Sequence, residues 1–297
     1  MALVATELAT NLVKHARGGR LLTGVFEDQT GAGVEVISLD TGPGIADLQA
    51  SLRDGYSTAG SSGTGLGAVW RLADAVDVVS HVGAGTAILA RLSREKVKST
   101  APGSGAGWGA VTVPIPGEEV CGDSYCVRAH ADGRTLLVVD GLGHGRAAAE
   151  AANEAVRLFR ANEREDPAAI VEAMHAGMRA TRGGAVAVAR LECEAGRLLY
   201  AGVGNISGSV IAGEHRQSMV SHNGTAGLTA RTIRTFEYAL PPGAVVVMHS
   251  DGLGAGWSLD RYPGLASAHP SLIAAVLYRD FSRGRDDATV LVSRASG

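Results

Sequence analysis

The sequence predicts an α/β protein of two domains, and three observations carry that prediction. Its 297 residues suffice for two separate hydrophobic cores. A stretch rich in Gly, Ser, Ala and Pro, centred on TAPGSGAGWGA, breaks the patterned chain. On both sides of it, apolar runs of strand length are interspersed with helix-period segments. In the later part, helix pairs between runs of strands suggest two sheets with helices outside. Domains are therefore expected at 1–94 and 111–297, with 95–110 as linker.

Composition narrows the function classes. The formal net charge is -3 and no basic cluster tracks along the chain, which gives no case for nucleic acid. No apolar run has the length of a membrane span, and no secretory leader is recognisable. Cys121, Cys126 and Cys193 show no CxxC spacing, which favours a reducing compartment and no zinc site. The expected location is the cytoplasm.

The first half opens on a helix over 2–16, where Leu3, Val4, Leu8 and Leu12 mark the apolar face. Glu7, Asn11 and Lys14 recur three or four residues apart and form a polar stripe beside it. Strands at 20–27 and 34–39 flank a Gly-containing turn. The second delivers Asp40-Thr41-Gly42-Pro43-Gly44-Ile45. After a short helix and the segment DGYST at 54–58, the small-residue loop AGSSGTGLG leads into a helix at 68–75. Glycine-rich backbone entering a helix N-terminus suits an anion, because free N–H groups and the helix dipole face it together. Gly83-Ala84-Gly85-Thr86 then opens a last strand at 87–92.

In that order and spacing, residues 1–92 resemble the GHKL ATPase superfamily. More narrowly, they are similar to anti-sigma-factor serine kinases of the stressosome switch-kinase type. Glu7-Leu8-Ala9-Thr10-Asn11 matches the N box, Asp40 to Gly44 the first glycine box, and Gly63 to Gly67 the second. The resemblance implies a two-layer α/β sandwich of the Bergerat type that binds ATP with Mg²⁺. It makes Glu7 the general base toward a substrate serine and Asn11 the Mg²⁺ holder. Asp40 would accept from the adenine amino group beside Thr86, with Gly42 and Gly44 shaping that end. Gly63, Gly65 and Gly67 would wrap the phosphates. The family carries a strand and a helix before its N box that are absent here, so an exposed sheet edge and a thinly covered first helix are expected. The alternative role for this half is a non-catalytic module that binds nucleotide or a partner.

In the second half, acidic residues recur at strand edges. The run at 136–139 ends on Asp140-Gly141-Leu-Gly-His144-Gly145, and VVVMHSDGLG repeats the pattern with Asp251-Gly252. Asp286-Asp287 precede the run at 288–292, and Cys121-Gly122-Asp123 precede one at 125–128. Any one could be a strand-ending turn, since Asp-Gly is a common hairpin signal. Converged, they would hold two divalent ions with a bridging water, an arrangement suited to in-line attack on phosphorus. Helices are expected at 146–163 and 167–180. Further strands are expected at 185–192, 196–203, 208–211, 232–239 and 244–249.

These motifs, with Ala201-Gly202-Val-Gly-Asn205, resemble the SpoIIE-type metal-dependent serine/threonine phosphatases across 111–297. The resemblance implies a four-layer αββα sandwich holding two Mn²⁺ or Mg²⁺ ions. Their ligands would be Asp123, Asp140, the Gly141 carbonyl, Asp251 and Asp286. Asp140 and Asp251 would be central to direct hydrolysis without a phosphoenzyme. Successive strand residues point to opposite faces, so Asp286 rather than Asp287 is taken as the ligand. His144 could donate a proton or shape the mouth, or simply occupy a turn. Gly202, Gly204 and Asn205 read as a tight turn. The implied partner is a phosphorylated anti-anti-sigma protein of the STAS type.

Overall fold

The computed structural model describes residues 1–16, 18–28, 31–48, 65–94 and 107–295. The DGYST segment, Gly63 and most of the expected linker lie outside the described residues. The chain divides into two compact units, Met1–Gly109 with Ser258–Arg279, and Ala110–Trp257 with Asp280–Gly297. The segment 258–279 thus groups with the first unit, although sequence patterning assigned it to the second domain.

In the first unit, helix α1 (Ala2–His15) precedes strands β1 (Arg20–Asp28) and β2 (Gly31–Leu39). Helix α2 (Gly65–Leu72) and strands β3 (Ala75–His81) and β4 (Gly85–Ser93) follow. The sheet is antiparallel in the order β1-β2-β4-β3. Val4 and Leu8 of α1 and Val69 of α2 pack with Val36, Ile88 and Ala90 on one face. Leu3, placed on the apolar stripe by its spacing, is 55% exposed. Helix α2 starts three residues before the expected 68 and ends at Leu72. The strand β3 that follows was missed, because every one of its residues is only half-buried and its alternation is weak.

Alternation sends Glu35 and Arg91 to the sheet's other face, where the two stand opposite each other in register. There the helix α5 (Pro270–Phe281), unforeseen from the sequence, is anchored. Ser271 Oγ lies 3.3 Å from Glu35 Oε2, His269 N donates to Asp77 Oδ2 at 2.7 Å, and Arg279 Nη1 donates to the Asp40 carbonyl at 2.9 Å. Residues Pro270 to Tyr278 are all buried. A helix buried on every side shows no polar stripe, which removes the amphipathic signal that would have revealed it.

The second unit is a sandwich of two five-stranded sheets. One comprises β6 (Asp123–His130), β7 (Gly133–Gly141), β8 (Gly184–Glu192), β9 (Arg197–Val203) and β14 (Phe236–Ala239), in the order β14-β9-β8-β7-β6. The other comprises β5 (Trp108–Val113), β10 (Ser207–Ala212), β11 (His215–Met219), β15 (Val245–His249) and β16 (Ala288–Arg294), in the order β11-β10-β15-β16-β5. A two-residue hairpin, β12 (Gly224–Thr225) and β13 (Thr229–Ala230), stands apart. Helices α3 (Arg146–Arg160) and α4 (Pro167–Gly177) cover the first of the two sheets. Leu137, Val139, Val186, Val188, Ala201 and Val203 face these helices, while Leu136, Val138 and Tyr200 point toward the other sheet. Ala148, Ala151, Ala152 and Ala155 let α3 sit close, and Phe159 fills the space at its end. Asp166 caps α4 by accepting from Ala169 N at 2.9 Å, with Pro167 in the first turn. The strand expected at 232–239 is confined to its last four residues, and β11 was not foreseen.

Candidate metal centre and nucleotide pocket

Strand register brings the acidic positions of the second unit together. Asp123 and Asp140 are paired directly across β6 and β7. Asp140 shares its parity with Leu136 and Val138, so it projects between the sheets rather than toward the helices. From the facing sheet, Asp251 follows β15 and Asp286-Asp287 precede β16, at the same end of two neighbouring strands. Close backbone approach tightens this junction. A Cβ on Gly252 would collide with the Asp287 carbonyl, which explains the glycine after that aspartate.

Each carboxylate has a distinct environment. Asp123 is buried, and its Oδ2 accepts from Ser250 Oγ at 2.6 Å. Ser250 Oγ also accepts from Thr289 N at 3.0 Å. The serine is held in turn by His249, whose ring Nδ1 lies 2.8 Å from the Ser250 carbonyl while Nε2 accepts from Trp257 Nε1 at 3.1 Å. Those partners fix a neutral imidazole with its proton on Nδ1, and burial lowers its pKa to about 4. Asp251 Oδ2 accepts from Asn205 Nδ2 at 2.8 Å, so the asparagine read as a turn residue reaches the site. Asp287 is fully engaged in structure: its two oxygens accept from Ile115 N and Gly122 N, each at 2.8 Å. Asp286 remains partly exposed beside it.

Burial, followed by mutual repulsion, raises the pKa of Asp140 well above the ordinary carboxylate range. Asp123 is raised chiefly by burial, against the lowering effect of the Ser250 hydrogen bond. Asp286 moves the same way, raised first by burial and then by the charges of Asp251 and Asp287. Among the described residues none of Asp123, Asp140, Asp251 and Asp286 has a Lys, Arg or His ion-pair partner. An uncompensated group of buried negative charges costs several kcal/mol per ion. The donor set is all hard oxygen, which fits Mg²⁺ or Mn²⁺ and excludes a thiolate-type site. Among the described residues no three such side chains close on one point. The residues thus fit a hard cation by charge and donor type, with the final coordination sphere left to form around it. Cys121, between these acids, is pushed upward by burial and by Asp123, which excludes it as a thiolate nucleophile.

At the rim, His144 Nδ1 and Glu118 Oε1 lie 2.8 Å apart. Glu118 escaped the sequence reading, and Ser250 entered it only as part of the Ser250-Asp251-Gly252 motif, without a role of its own. No motif marks Glu118, whereas Ser250 precedes the Asp-Gly pair and offered a hydroxyl as the only hint.

In the first unit the residues expected at the adenine end, Asp40 and Thr86, are neighbours. Asp40 leaves β2 with its N–H donated to the Thr86 carbonyl at 2.9 Å, and its Oδ1 accepts from Gly42 N at 2.6 Å. Thr86 is buried, with its Oγ1 2.9 Å from Ser80 Oγ. A Cβ on Gly85 would strike the Asp40 carbonyl, so this glycine is what lets β4 pass so near. Gly44 takes a left-handed φ of 75° against the His81 backbone. Glu7 and Asn11 lie one turn apart on α1, both partly exposed, and Gly65 and Gly67 open α2, which packs on α1.

The sandwich with acidic strand ends defines a metal-dependent phosphatase fold, joined to an ATPase-type α/β domain. Comparison with known proteins makes this particular. The chain belongs to the Stage II sporulation protein E (SpoIIE) family, whose model matches residues 131–296. The histidine kinase-like ATPase domain model matches residues 1–92. The chain is similar to the serine/threonine-protein kinase RsbT of Bacillus subtilis (strain 168), with 39% identity over 85 residues. That match covers 29% of this chain and spans 64% of RsbT. It is also similar to the phosphoserine phosphatase RsbX of the same organism, 25% identical over 139 residues, covering 46% of this chain and 69% of RsbX. A solved chain from a bacterial stressosome system adapted to control secondary messenger signalling has a TM-score of 0.59 and 26% identity, covering 63% of this chain and 98% of that one. No helix among the described residues is long and apolar enough to cross a membrane.

Proposed function

We propose that the protein is a regulatory phosphatase that hydrolyses phosphoserine or phosphothreonine on a partner protein, joined to a nucleotide-binding unit of serine-kinase type. The observation that carries the first part is the register pairing of Asp123 with Asp140 opposite Asp251 and Asp286, without an ion-paired protein cation among the described residues. Asp123, Asp140, the Gly141 carbonyl, Asp251 and Asp286 would hold two divalent ions. Bound there, the ions would supply an activated water and neutralise charge on the phosphoryl group. The chain's own part is positional. Ser250 orients Asp123, Asn205 orients Asp251, and Asp287 ties the loop before β6 to β16 through two backbone amides. Such supporting hydrogen bonds fix ligand direction and basicity.

In the first unit, Asp40 with Thr86 would receive adenine, Asn11 would hold Mg²⁺ on ATP, and Glu7 would take a serine proton during transfer. Likeness to RsbT and RsbX, a kinase and a phosphoserine phosphatase, supports opposed activities in one chain; the partner proposed for both is of the STAS type.

Incubation with Mn²⁺ and a phosphoserine peptide tests the phosphatase reading. Phosphate release is expected from the wild type and not from Asp140→Asn, and equal release from both would refute it. For the first unit, ATP binding followed by transfer to a STAS partner supports the kinase. Binding without transfer assigns a sensing module, and absence of binding refutes both.

A further inference from the structure

The rim of the metal centre carries a cation that the hydrolytic machinery does not use. Arg182 lies two residues before β8, on the connection that returns from α4. Gly141 pairs with Gly184 in register, and Leu142 N donates to the Gly183 carbonyl at 3.0 Å. Arg182 is therefore fastened to the loop that follows Asp140. Its Nη1 lies 3.4 Å from where a Cβ on Gly143 would stand, over the glycine face of that loop. Arg182 is exposed, and among the described residues it has neither an ion pair nor a hydrogen bond. The neighbouring His144 is already engaged with Glu118.

Two large exposed apolar residues adjoin Gly183, the chain neighbour of Arg182. Leu142 is 51% exposed and Leu228 is 53% exposed. Leu228 Cγ stands 3.2 Å from the Cβ position of Gly183. An exposed guanidinium with no ion pair or hydrogen bond among the described residues, set against the loop that follows Asp140, is poorly explained by stability. A guanidinium presents a planar fork of donors that matches the oxygens of a phosphomonoester.

Resting on the phosphatase reading above, we infer that Arg182 anchors the phosphate group of the substrate, while Leu142 and Leu228 receive apolar residues of the phosphoprotein beside the phosphorylated side chain. Arg182 acts in binding: it holds peripheral phosphate oxygens and leaves the attack to the groups between the sheets.

The test measures KM and kcat for a phosphoserine peptide with Mn²⁺, and the inhibition constant of inorganic phosphate, for wild type, Arg182→Ala and Arg182→Lys. Arg182→Ala should raise KM roughly tenfold or more, the scale of a lost charge-assisted contact, with kcat within about threefold. Phosphate inhibition should weaken in parallel, and Arg182→Lys should recover part of both. Leu228→Ser should raise KM for the peptide and leave phosphate inhibition unchanged. Unchanged KM and phosphate inhibition in Arg182→Ala, or a fall in kcat alone, would overturn the assignment. Peptide binding by calorimetry to Mn²⁺-loaded wild type and Arg182→Ala separates this proposal from the parent reading. If wild type fails to hydrolyse the peptide, the phosphatase reading falls, and the binding difference still decides the role of Arg182.

Discussion

Each unit buries a set of acidic side chains, and the two sets are solved in opposite ways. In the first unit Arg91 lies between Asp28 and Glu35, with Nη1–Oδ2 at 2.7 Å and Nη2–Oε2 at 3.0 Å. The guanidinium also sits 4.3 Å from the centre of the Phe26 ring. All three charged side chains are nearly inaccessible, and the donors and acceptors match. Even so, burial raises the Glu35 pKa more than Arg91 lowers it. In the second unit Asp123, Asp140, Asp251 and Asp286 face one another with a serine and an asparagine as polar support and no protein cation among the described residues. The contrast separates structure from function. A buried acid answered by an arginine closes its own account of charge, while acids left unanswered require something from outside.

The largest expected effect comes from removing a member of the unanswered set. Asp140→Asn should lower phosphatase turnover by about a thousandfold or more, the scale of losing an essential catalytic group. Circular dichroism of that variant should stay unchanged, because the substitution relieves repulsion. Loss of fold together with activity would show that Asp140 is structural.

Arg91→Ala reverses the logic. It leaves Asp28 and Glu35 buried without a cation and should cost about 3–5 kcal/mol in denaturant unfolding of the first unit. A loss under about 1 kcal/mol would show that water reaches the cluster and that the comparison between units is false.

Ser250→Ala sharpens the comparison from within. It removes one hydrogen bond to Asp123 and should weaken Mn²⁺ affinity by about 10- to 100-fold, as outer-shell changes do, with a stability change of only about 1 kcal/mol. Unchanged affinity would remove Ser250 from the site.

Part of this was legible in the residues. Glycines beside aspartates at strand ends marked the acidic positions, because the backbone crowding around Gly252 tolerates no side chain. Strand alternation set Asp286 apart from Asp287, and the oxygens of the latter accept from two backbone amides. The N-box spacing on α1 survives, although Leu3 turns outward. What stayed hidden lacked a periodic signature. Helix α5 is apolar all round, strand β3 is half-buried throughout, and Arg182 and Glu118 become neighbours of the loop after Asp140 only through long-range register. Asn205 looked like a turn residue because Gly202 and Gly204 precede it, and its bond to Asp251 crosses 46 positions.

The pH dependence gives the smallest effect. The carboxylates of Asp123 and Asp140 are raised in the folded state, so folding takes up protons as the pH rises past the ordinary carboxylate range. Metal-free protein should therefore lose stability between about pH 5 and about pH 8, by a few degrees in Tm. Asp140→Asn should flatten that slope, and an unchanged slope would mean the acids are solvated.

Calorimetric titration of the metal-free chain with Mn²⁺ tests the central claim most directly. Binding of two ions is predicted, with proton release that grows toward lower pH, and both features reduced in Asp140→Asn. Absence of binding, or binding that Asp140→Asn leaves intact, would contradict it.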